Sequence, residues 1–209
     1  MNVFQSDMLA RFQSLETLLV SECASLQEVF ELQGLNATET SAATAIQLKK
    51  LYLAHLPKMK HVWNKDPQEI FSFQNLKDVR AMKCESLKSV FPASVARSLM
   101  QLEDLRIVDC GVEEIVAGEE EAEGITRFIF PKVAHLSLDR LPRLKCFYPG
   151  RHTSEWPILK DMVVGGCHEV EILASQLPSE ALQESQLEIS VKQSLFLVDE
   201  VRALTYNLI

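Results

Sequence analysis

Apolar residues recur along the chain in a fixed order, and that order itself repeats. The first copy reads Leu15-x-x-Leu18-x-Val20-x-x-Cys23-x-x-Leu26-x-x-Val29-Phe30. Five later segments repeat the pattern, beginning at Leu48, Leu76, Leu102, Val133 and Leu159, and only the copy at Leu102 needs a one-residue deletion. Successive copies are spaced by 33, 28, 26, 31 and 26 residues. Self-similarity at such periods is typical of repeat architectures, so we interpret residues 12–178 as a domain of about six irregular repeats.

Each copy predicts a short strand followed by a return segment. The alternation of Leu18 and Val20 with their neighbours places both side chains on one face of a strand. One unit cannot cover its own apolar face, whereas stacked units cover one another. The pattern therefore predicts an α/β leucine-rich-repeat solenoid: a curved right-handed superhelix with a parallel sheet on the concave face, and short helices and irregular segments on the convex face.

The remaining segments are assigned as flanks and helices. Residues 1–11 are interpreted as an N-terminal lead-in, and residues 179–209 as a C-terminal tail that leads into a missing further repeat. The segment Pro92–Leu99 predicts a short convex helix that begins at the proline and packs Val95 and Leu99 inward. A second helix is predicted over residues 179–187.

Composition and charge exclude several classes of protein. The 209 residues hold 21 Lys and Arg against 29 Asp and Glu, a net charge of −8. This acidity removes the electrostatic attraction on which nucleic-acid binding normally depends. No apolar run reaches the roughly 18 to 20 residues of a membrane span, and the first residues do not resemble a signal peptide. We expect a cytoplasmic protein that neither binds nucleic acid nor spans a membrane.

Motif spacing gives no support to an enzyme, a cofactor or a metal site. The seven glycines form neither GxxxxGK[ST] nor GxSxG, and the five histidines form no HExxH. A catalytic triad assembled from distant residues is not tested by spacing. Four of the five cysteines share one repeat position with Leu56 and Leu141, namely Cys23, Cys84, Cys110 and Cys167. Because leucine replaces them there, we expect buried thiols rather than metal ligands or redox groups.

Two stretches carry a resemblance to a known family. They are FQNLKDVRAMKCESLKSVFPASVARSLMQLEDLRIVDCGVEEIVA (residues 73–117) and FPKVAHLSLDRLPRLKCFYPGRHTSEWPILKDMVVGGCHEVEIL (residues 130–173). Both resemble the leucine-rich-repeat region of plant intracellular disease resistance proteins of the coiled-coil, nucleotide-binding, leucine-rich-repeat type. In that family, copies with C-x-x-L alternate irregularly with copies carrying LP-x-L, as at Leu56-Pro57 and Leu141-Pro142 here. The resemblance covers residue 12 to about residue 178. The tail LFLVDEV (residues 195–201) is similar to the family's lead-in to a further repeat, and the resemblance stops after Val201.

The resemblance implies a non-catalytic protein-recognition module, the sensor or autoinhibitory segment of a plant immune receptor in the defence response. Its partner would be a pathogen effector, a guarded host protein or the nucleotide-binding domain of the parent receptor. The nucleotide switch of that family is not transferred, since these residues contain no phosphate loop. Two alternatives stay open: a truncated paralogue or decoy without independent function, and a leucine-rich-repeat adaptor.

The candidate binding residues follow from strand alternation, which turns every second side chain toward the concave solvent side. They are Tyr52, Arg80, Arg106, His135 and Asp139. Tyrosine and arginine are frequent anchors of protein interfaces. Arg80 and Arg106 occupy the same position of adjacent repeats, about 5 Å apart, with Asp78 and Asp104 beside them. These four side chains form a ladder of acidic and basic groups, which either neutralise one another or bind a charged partner. The alternative interpretation of the outward-facing positions is that they are simply solvated.

Overall fold

The fold is taken from a computed structural model, which describes residues 2–4, 14–32, 44–67, 70–119, 124–168, 171–174, 194–197 and 205–206. Nearly all elements are short strands. In chain order they are β1 (Asn2–Phe4), β2 (Thr17–Ser21), β3 (Glu28–Phe30), β4 (Thr44–Ala45), β5 (Lys50–Ala54), β6 (His61–Trp63), β7 (Phe71–Ser72), β8 (Asp78–Met82), β9 (Ser89–Phe91), α1 (Ala93–Ser98), β10 (Asp104–Val108), β11 (Glu114–Val116), β12 (Thr126–Ile129), β13 (His135–Asp139), β14 (His152–Glu155), β15 (Asp161–Gly165), β16 (Glu171–Ala174), β17 (Ser194–Leu197) and β18 (Thr205–Tyr206).

One parallel sheet collects a strand from each of the six predicted repeats. Its order is β18-β15-β13-β10-β8-β5-β2. The first residues of these strands are in register, Thr17 opposite Lys50, then Asp78, Asp104, His135 and Asp161. These offsets reproduce the spacings of the sequence repeat, so the predicted leucine-rich-repeat solenoid is confirmed as a parallel β-solenoid.

A seventh strand extends this sheet beyond the predicted repeats. The backbone of β18 pairs in parallel with Asp161 and Met162 at the start of β15. The resemblance to the repeat pattern stops after Val201, because RALTYNLI lacks the expected run of leucines. The backbone of Thr205–Tyr206 nevertheless adopts the strand position of a further repeat.

The return segments contain short paired strands beside the irregular segments and the short helix that the pattern predicts. β1, β3 and β6 form one parallel sheet, β9 and β11 another, and Glu114 bridges to Cys146. Each of β3, β6, β9 and β11 ends in two consecutive buried residues, for example Val29-Phe30 and Val62-Trp63. An extended backbone that pairs with its neighbour buries both residues and satisfies its polar groups. Further short pairs join β4 to β7, β12 to β14 and β16 to β17.

Within the described part of the chain α1 is the one α-helix, and it confirms the prediction over Pro92–Leu99. Pro92 occupies the N-cap and Leu99 the C-cap, while Val95 and Leu99 are buried. The second predicted helix, over residues 179–187, lies outside the described residues. Asn2–Phe4, assigned to the lead-in, forms a strand beside β3, where the return strand of a preceding repeat would lie.

The core lies between the concave and return strands. Leu18 and Val20 are buried, whereas Thr17, Leu19 and Ser21 are exposed, so the face assignment from alternation is correct. Aromatic rings at the ends of the return strands stack along the solenoid, beginning with Phe30 and Trp63, whose ring centroids are 5.5 Å apart.

Every repeat turns through a residue with a left-handed backbone. These residues follow the concave strands and have φ between 50° and 62°; they are Glu22, His55, Lys83, Asp109, Arg140 and Gly166. Each of the first five donates its backbone N–H to the last strand residue of the next repeat, as His55 does to the carbonyl of Met82 at 3.0 Å. This conformation costs most residues energy, and the hydrogen bond to the next repeat offsets the cost.

Candidate protein-recognition surface

The concave strands present three columns of solvent-facing side chains, set by the sheet register. The first column is Thr17, Lys50, Asp78, Asp104, His135 and Asp161. The middle column is Leu19, Tyr52, Arg80, Arg106, Ser137 and Val163. The last column is Ser21, Ala54, Met82, Val108, Asp139 and Gly165. Three predicted binding residues therefore share the middle column, while His135 lies in the first column and Asp139 in the last.

Tyr52 and Arg80 are joined through one carboxylate. The Tyr52 hydroxyl donates to Asp78 Oδ2 at 2.6 Å, and Arg80 Nε and Nη2 donate to the two oxygens of Asp78 at 2.8 and 2.9 Å. The guanidinium carbon of Arg80 lies 5.1 Å from the centroid of the Tyr52 ring, within the range of a cation–π contact.

Arg106 repeats this arrangement one strand further along. Its Nε and Nη2 donate to Asp104 at 2.8 and 2.7 Å, and Arg80 Nη2 lies 3.9 Å from the same carboxylate. The hydrogen bonds to Asp78 and Asp104 raise the pKa of Arg80 and Arg106 respectively. The acidic and basic side chains of the ladder therefore neutralise one another, as Arg80 pairs with Asp78 and Arg106 with Asp104.

The arginines nevertheless lie outermost in this ladder. The side chains of Asp78 and Asp104 are 16% and 15% exposed, against 38% and 47% for Arg80 and Arg106. A guanidinium carries five N–H groups in a fixed fork, and the bonds to the aspartates occupy only Nε and Nη2. The middle column thus offers the remaining N–H donors and the Tyr52 ring to whatever contacts the sheet.

His135 and Asp139 take other partners. His135 Nδ1 lies 2.8 Å from Asp161 Oδ2 on the next strand, and both side chains are exposed. Asp139 accepts a hydrogen bond from Arg140 Nη1 at 2.6 Å, and Arg140 also bonds to Asp109 in the turn. These two candidates lie on the same concave sheet but do not join the Tyr52–Arg80–Arg106 cluster.

Sequence comparison supplies the family. The chain matches the family model for "Plant disease resistance protein RPS2-like, leucine-rich repeats" over residues 1–111, just over half of its length. The chain belongs to this family. No curated protein and no solved structure matches it. The matched region of this RPS2-like domain holds Tyr52, Arg80 and Arg106, whereas His135 and Asp139 lie beyond it. A leucine-rich-repeat domain of this kind is a protein-binding module and generally not a catalyst.

Exposed apolar side chains border the arginine ladder of the RPS2-like domain, and sequence reasoning did not single them out. Leu19 is 65% exposed at the start of the middle column, and Met82 is 44% exposed in the last column. The signal was present in the sequence, because both occupy strand positions that alternation assigns to solvent. Apolar groups beside aromatic and arginine side chains are typical of protein interfaces.

The cysteines of the RPS2-like domain divide into buried and accessible thiols. Cys84 and Cys110 are buried as predicted, Cys167 is half-buried, and Cys23 is exposed, which corrects its assignment as a core residue. Each sulfur donates to the carbonyl two residues earlier, as Cys84 does to Met82 at 3.4 Å. In the first repeat β2 is the edge of the described sheet, so Cys23 lacks the cover that a preceding strand would give.

Among the described residues, no group of three or more His, Cys, Asp or Glu side chains converges to hold a metal ion. No helix in that part of the chain has the length and apolarity to cross a bilayer.

Glu119 belongs to the acidic run that was predicted to be a solvated loop. Its carboxylate accepts two hydrogen bonds from Arg97 at 2.9 and 2.7 Å, and these bonds lower the pKa of Glu119.

Proposed function

We propose that the concave face of repeats two to five is a protein-recognition surface. The chain then acts as the sensor or autoinhibitory leucine-rich-repeat segment of a plant immune receptor, in the cytoplasm. Its partner belongs to one of three classes: a pathogen effector, a guarded host protein, or the nucleotide-binding domain of the parent receptor. Recognition of this kind needs neither a cofactor nor turnover.

The middle column carries the proposal. Asp78 and Asp104 hold Arg80 and Arg106 in place, so the guanidiniums lose little conformational freedom when a partner binds. Their remaining N–H groups face solvent, where they can bond to carbonyl or carboxylate oxygens of a protein. The Tyr52 ring next to them supplies a rigid apolar surface, and Tyr and Arg are the residue types that most often dominate binding energy.

The neutral ladder also indicates how a partner is selected. Since each arginine is already paired, long-range attraction contributes little, and contact depends on shape and on local hydrogen bonds. Met82 and Leu19 add exposed apolar area beside the ladder. His135 and Asp139 extend the same face over the fifth repeat and are proposed as peripheral contacts.

The test is proximity labelling in leaf cells, with the chain fused to a labelling enzyme. The variant Arg80→Ala/Arg106→Ala removes the outward guanidiniums, and Lys132→Ala/Lys160→Ala removes two exposed cations that precede concave strands. We expect the double arginine variant to lose labelled partners that the lysine variant keeps, at equal thermal stability. Identical partner sets for both variants would contradict the proposal, and the absence of any partner would favour the decoy.

A direct binding measurement separates the partner classes. The purified chain is titrated with the purified nucleotide-binding segment of an RPS2-like receptor and, separately, with proteins recovered by labelling. Affinity for the nucleotide-binding segment that the double arginine variant loses supports the autoinhibitory role. Affinity for a recovered host or pathogen protein alone supports the sensor role.

A further inference from the structure

Two buried thiols lie side by side at the turns that follow the concave strands. Cys84 follows β8 and Cys110 follows β10, and these strands pair in register up to Met82 opposite Val108. Beyond the strands, the Gly111 N–H donates to the Cys84 carbonyl at 3.1 Å. The thiol pair (Cys84 and Cys110) therefore occupies one position of two adjacent repeats, and it takes no part in the proposed function.

The side chains of the thiol pair have the same orientation. The Cys84 sulfur lies 3.4 Å from the Met82 carbonyl oxygen, and the Cys110 sulfur lies 3.3 Å from that of Val108. A hydrogen bond also joins the two thiols. Neighbouring parallel strands lie about 4.8 Å apart, within the range of roughly 4.4 to 6.8 Å between the Cα atoms of a disulfide. The two sulfurs can therefore be linked with little movement of the backbone.

The thiol pair is the one set of neighbouring cysteines in the described part of the chain, which contains all five. Cys23 and Cys167 share the same repeat position, but Leu56 and Leu141 separate them from the pair. A separation of two strands is about 9.6 Å, which is too long for a disulfide. Cys146 lies in the return layer. Geometry thus allows one disulfide within the folded chain.

The hydrogen bond also determines which sulfur of the pair loses its proton first. The Cys110 thiol stabilises the Cys84 thiolate, and this contact lowers the pKa of Cys84. The same contact and then burial raise the pKa of Cys110. Because the thiolate is the nucleophilic form of cysteine, Cys84 is the reactive sulfur, and the thiol of Cys110 lies in contact with it.

The thiol pair is shielded from large reagents but borders a groove. Cys84 and Cys110 are 0% and 2% exposed. Cys110 lines a groove of about 1000 Å³ that runs along the turns. A molecule hardly larger than water reaches the pair from this groove, whereas burial keeps bulky thiol reagents away.

We propose that the thiol pair is a site of reversible oxidation by hydrogen peroxide. The Cys84 thiolate attacks one peroxide oxygen, the O–O bond breaks, and the leaving hydroxide takes up a proton to become water. Cys84 is then a sulfenic acid. The Cys110 sulfur attacks the Cys84 sulfur, the S–O bond breaks, and the hydroxyl group leaves with the Cys110 proton as a second water. One S–S bond forms, and two electrons pass from the sulfurs to the peroxide.

The disulfide joins the third repeat to the fourth. Arg80 and Arg106 lie four residues before the two cysteines, on the strands that lead into these turns. The link therefore restricts relative motion of the two strands that hold the arginines. Thiol reductants reverse it by exchange, so the state of the pair reports the balance between peroxide and reductant.

The experiment treats the folded full-length chain with hydrogen peroxide and maps disulfides by mass spectrometry. Trypsin places the two cysteines in separate peptides, residues 84–88 and 107–127. The substitution Cys23→Ala is present throughout, so that the exposed thiol does not link two chains. We expect the linked peptides to exceed any other cysteine pair within the chain at least about tenfold. Concentrated urea removes the alignment and should abolish this excess.

Single substitutions separate the roles of the two sulfurs. Cys110→Ala removes the attacking thiol of the second step, so oxidation should stop at Cys84 as sulfenic and sulfinic acid. In Cys84→Ala, oxidation of Cys110 should be at least about threefold slower than that of Cys84 in Cys110→Ala. Cys167→Ala, at the same repeat position, is the matched control and should leave the yield of the disulfide unchanged.

Urea unfolding shows whether the link fits the native fold. A disulfide between residues 84 and 110 restricts the unfolded chain, so the urea midpoint should rise on oxidation and return after treatment with dithiothreitol. Three results would overturn the site: no linked peptides from the folded chain, other cysteine pairs at equal yield, or a lower urea midpoint after oxidation. Arg80→Ala/Arg106→Ala should oxidise normally, so this test and that of the proposed function fail independently.

Discussion

The Arg80 guanidinium lies 5.1 Å from the Tyr52 ring centroid, and both side chains bond to the same carboxylate, Asp78. Tyr52 and Arg80 are direct neighbours in the register of β5 and β8. Asp78 therefore fixes the ring and the cation against each other, and the middle column is ordered before any partner arrives.

Asp78→Asn tests this relationship through the Tyr52 phenol. Partial burial and then the hydrogen bond to Asp78 raise the pKa of Tyr52 above its ordinary value of 10.0. Because the folded state favours the protonated phenol, Tyr52 contributes to stability below pH 10.0. This contribution is lost as the pH rises through the raised pKa of Tyr52. We expect the variant to ionise at lower pH than the native chain in ultraviolet titration. An unchanged midpoint would show that Asp78 does not hold the hydroxyl.

Gly111→Ala should destabilise the stack between repeats three and four. A Cβ at this position would lie 1.9 Å from the Glu85 carbonyl oxygen, and the hydrogen bond from Gly111 N–H to the Cys84 carbonyl at 3.1 Å would be strained. We expect the free energy of unfolding in urea to fall by about 2 to 3 kcal/mol. Gly124→Ala meets no atom within 4 Å, although its φ is 97°, so it should cost only the backbone strain of about 1 to 2 kcal/mol.

Lys83→Gly should raise stability at the turn. Lys83 has a φ of 52°, which costs a lysine more than a glycine, so we expect a gain of up to about 1 kcal/mol. Lys132→Gly, at an exposed position outside the left-handed turns, should instead lower stability by about 0.5 to 1 kcal/mol. If the two glycine variants shift the urea midpoint in opposite directions, the result supports backbone strain at Lys83. Shifts of the same sign would contradict that strain.

Thiol reactivity should follow burial. Cys23 is exposed, whereas Cys84 and Cys110 are buried in consecutive turns. The hydrogen bond with the Cys84 sulfur and then burial raise the pKa of Cys110, and burial raises the pKa of Cys146 to about 11. We expect iodoacetamide to label Cys23 first in a mass-spectrometric time course, with Cys84 and Cys110 labelled only in denaturant. Early labelling of Cys84 would contradict its place in the core.

Acid should weaken the aromatic cluster around His152. Its ring lies 5.6 Å from Phe147 and 5.7 Å from Tyr148, and burial lowers its pKa below 6.5. The folded state thus favours the neutral ring, and this contribution is complete above 6.5 and is lost as pH falls through the lowered pKa. We expect His152→Phe to reduce the fall in urea midpoint between pH 7 and pH 5.

The concave sheet could be predicted because one signal decides it. Alternation at positions such as Leu18 and Val20 fixes which side chains are buried, and recurrence of the pattern fixes the register. The return layer could not be predicted in the same way, since two consecutive apolar residues such as Val29-Phe30 suit either a helix or a strand. The pairing with the neighbouring repeat decides between them, and a single copy does not contain it.

The candidate site was predictable as a set of positions but not as a set of contacts. Register brought Arg80 and Arg106 side by side, as expected. The register does not determine which carboxylate each arginine bonds, because that depends on side-chain conformation. In the structure each arginine bonds to the aspartate of its own strand. Asp139 was expected to face a partner, and its oxygen is held instead by Arg140 from the turn.

The exact register of the concave strands has a consequence for how the sequences of such repeat proteins evolve. The segments between concave strands differ in length, yet Tyr52, Arg80, Arg106 and Ser137 still face one another across adjacent strands. Insertions or deletions in those connections leave the columns aligned, and an exchange of whole repeats by recombination preserves the frame. The solvent-facing surface can therefore diversify one residue at a time while the scaffold beneath it is inherited intact.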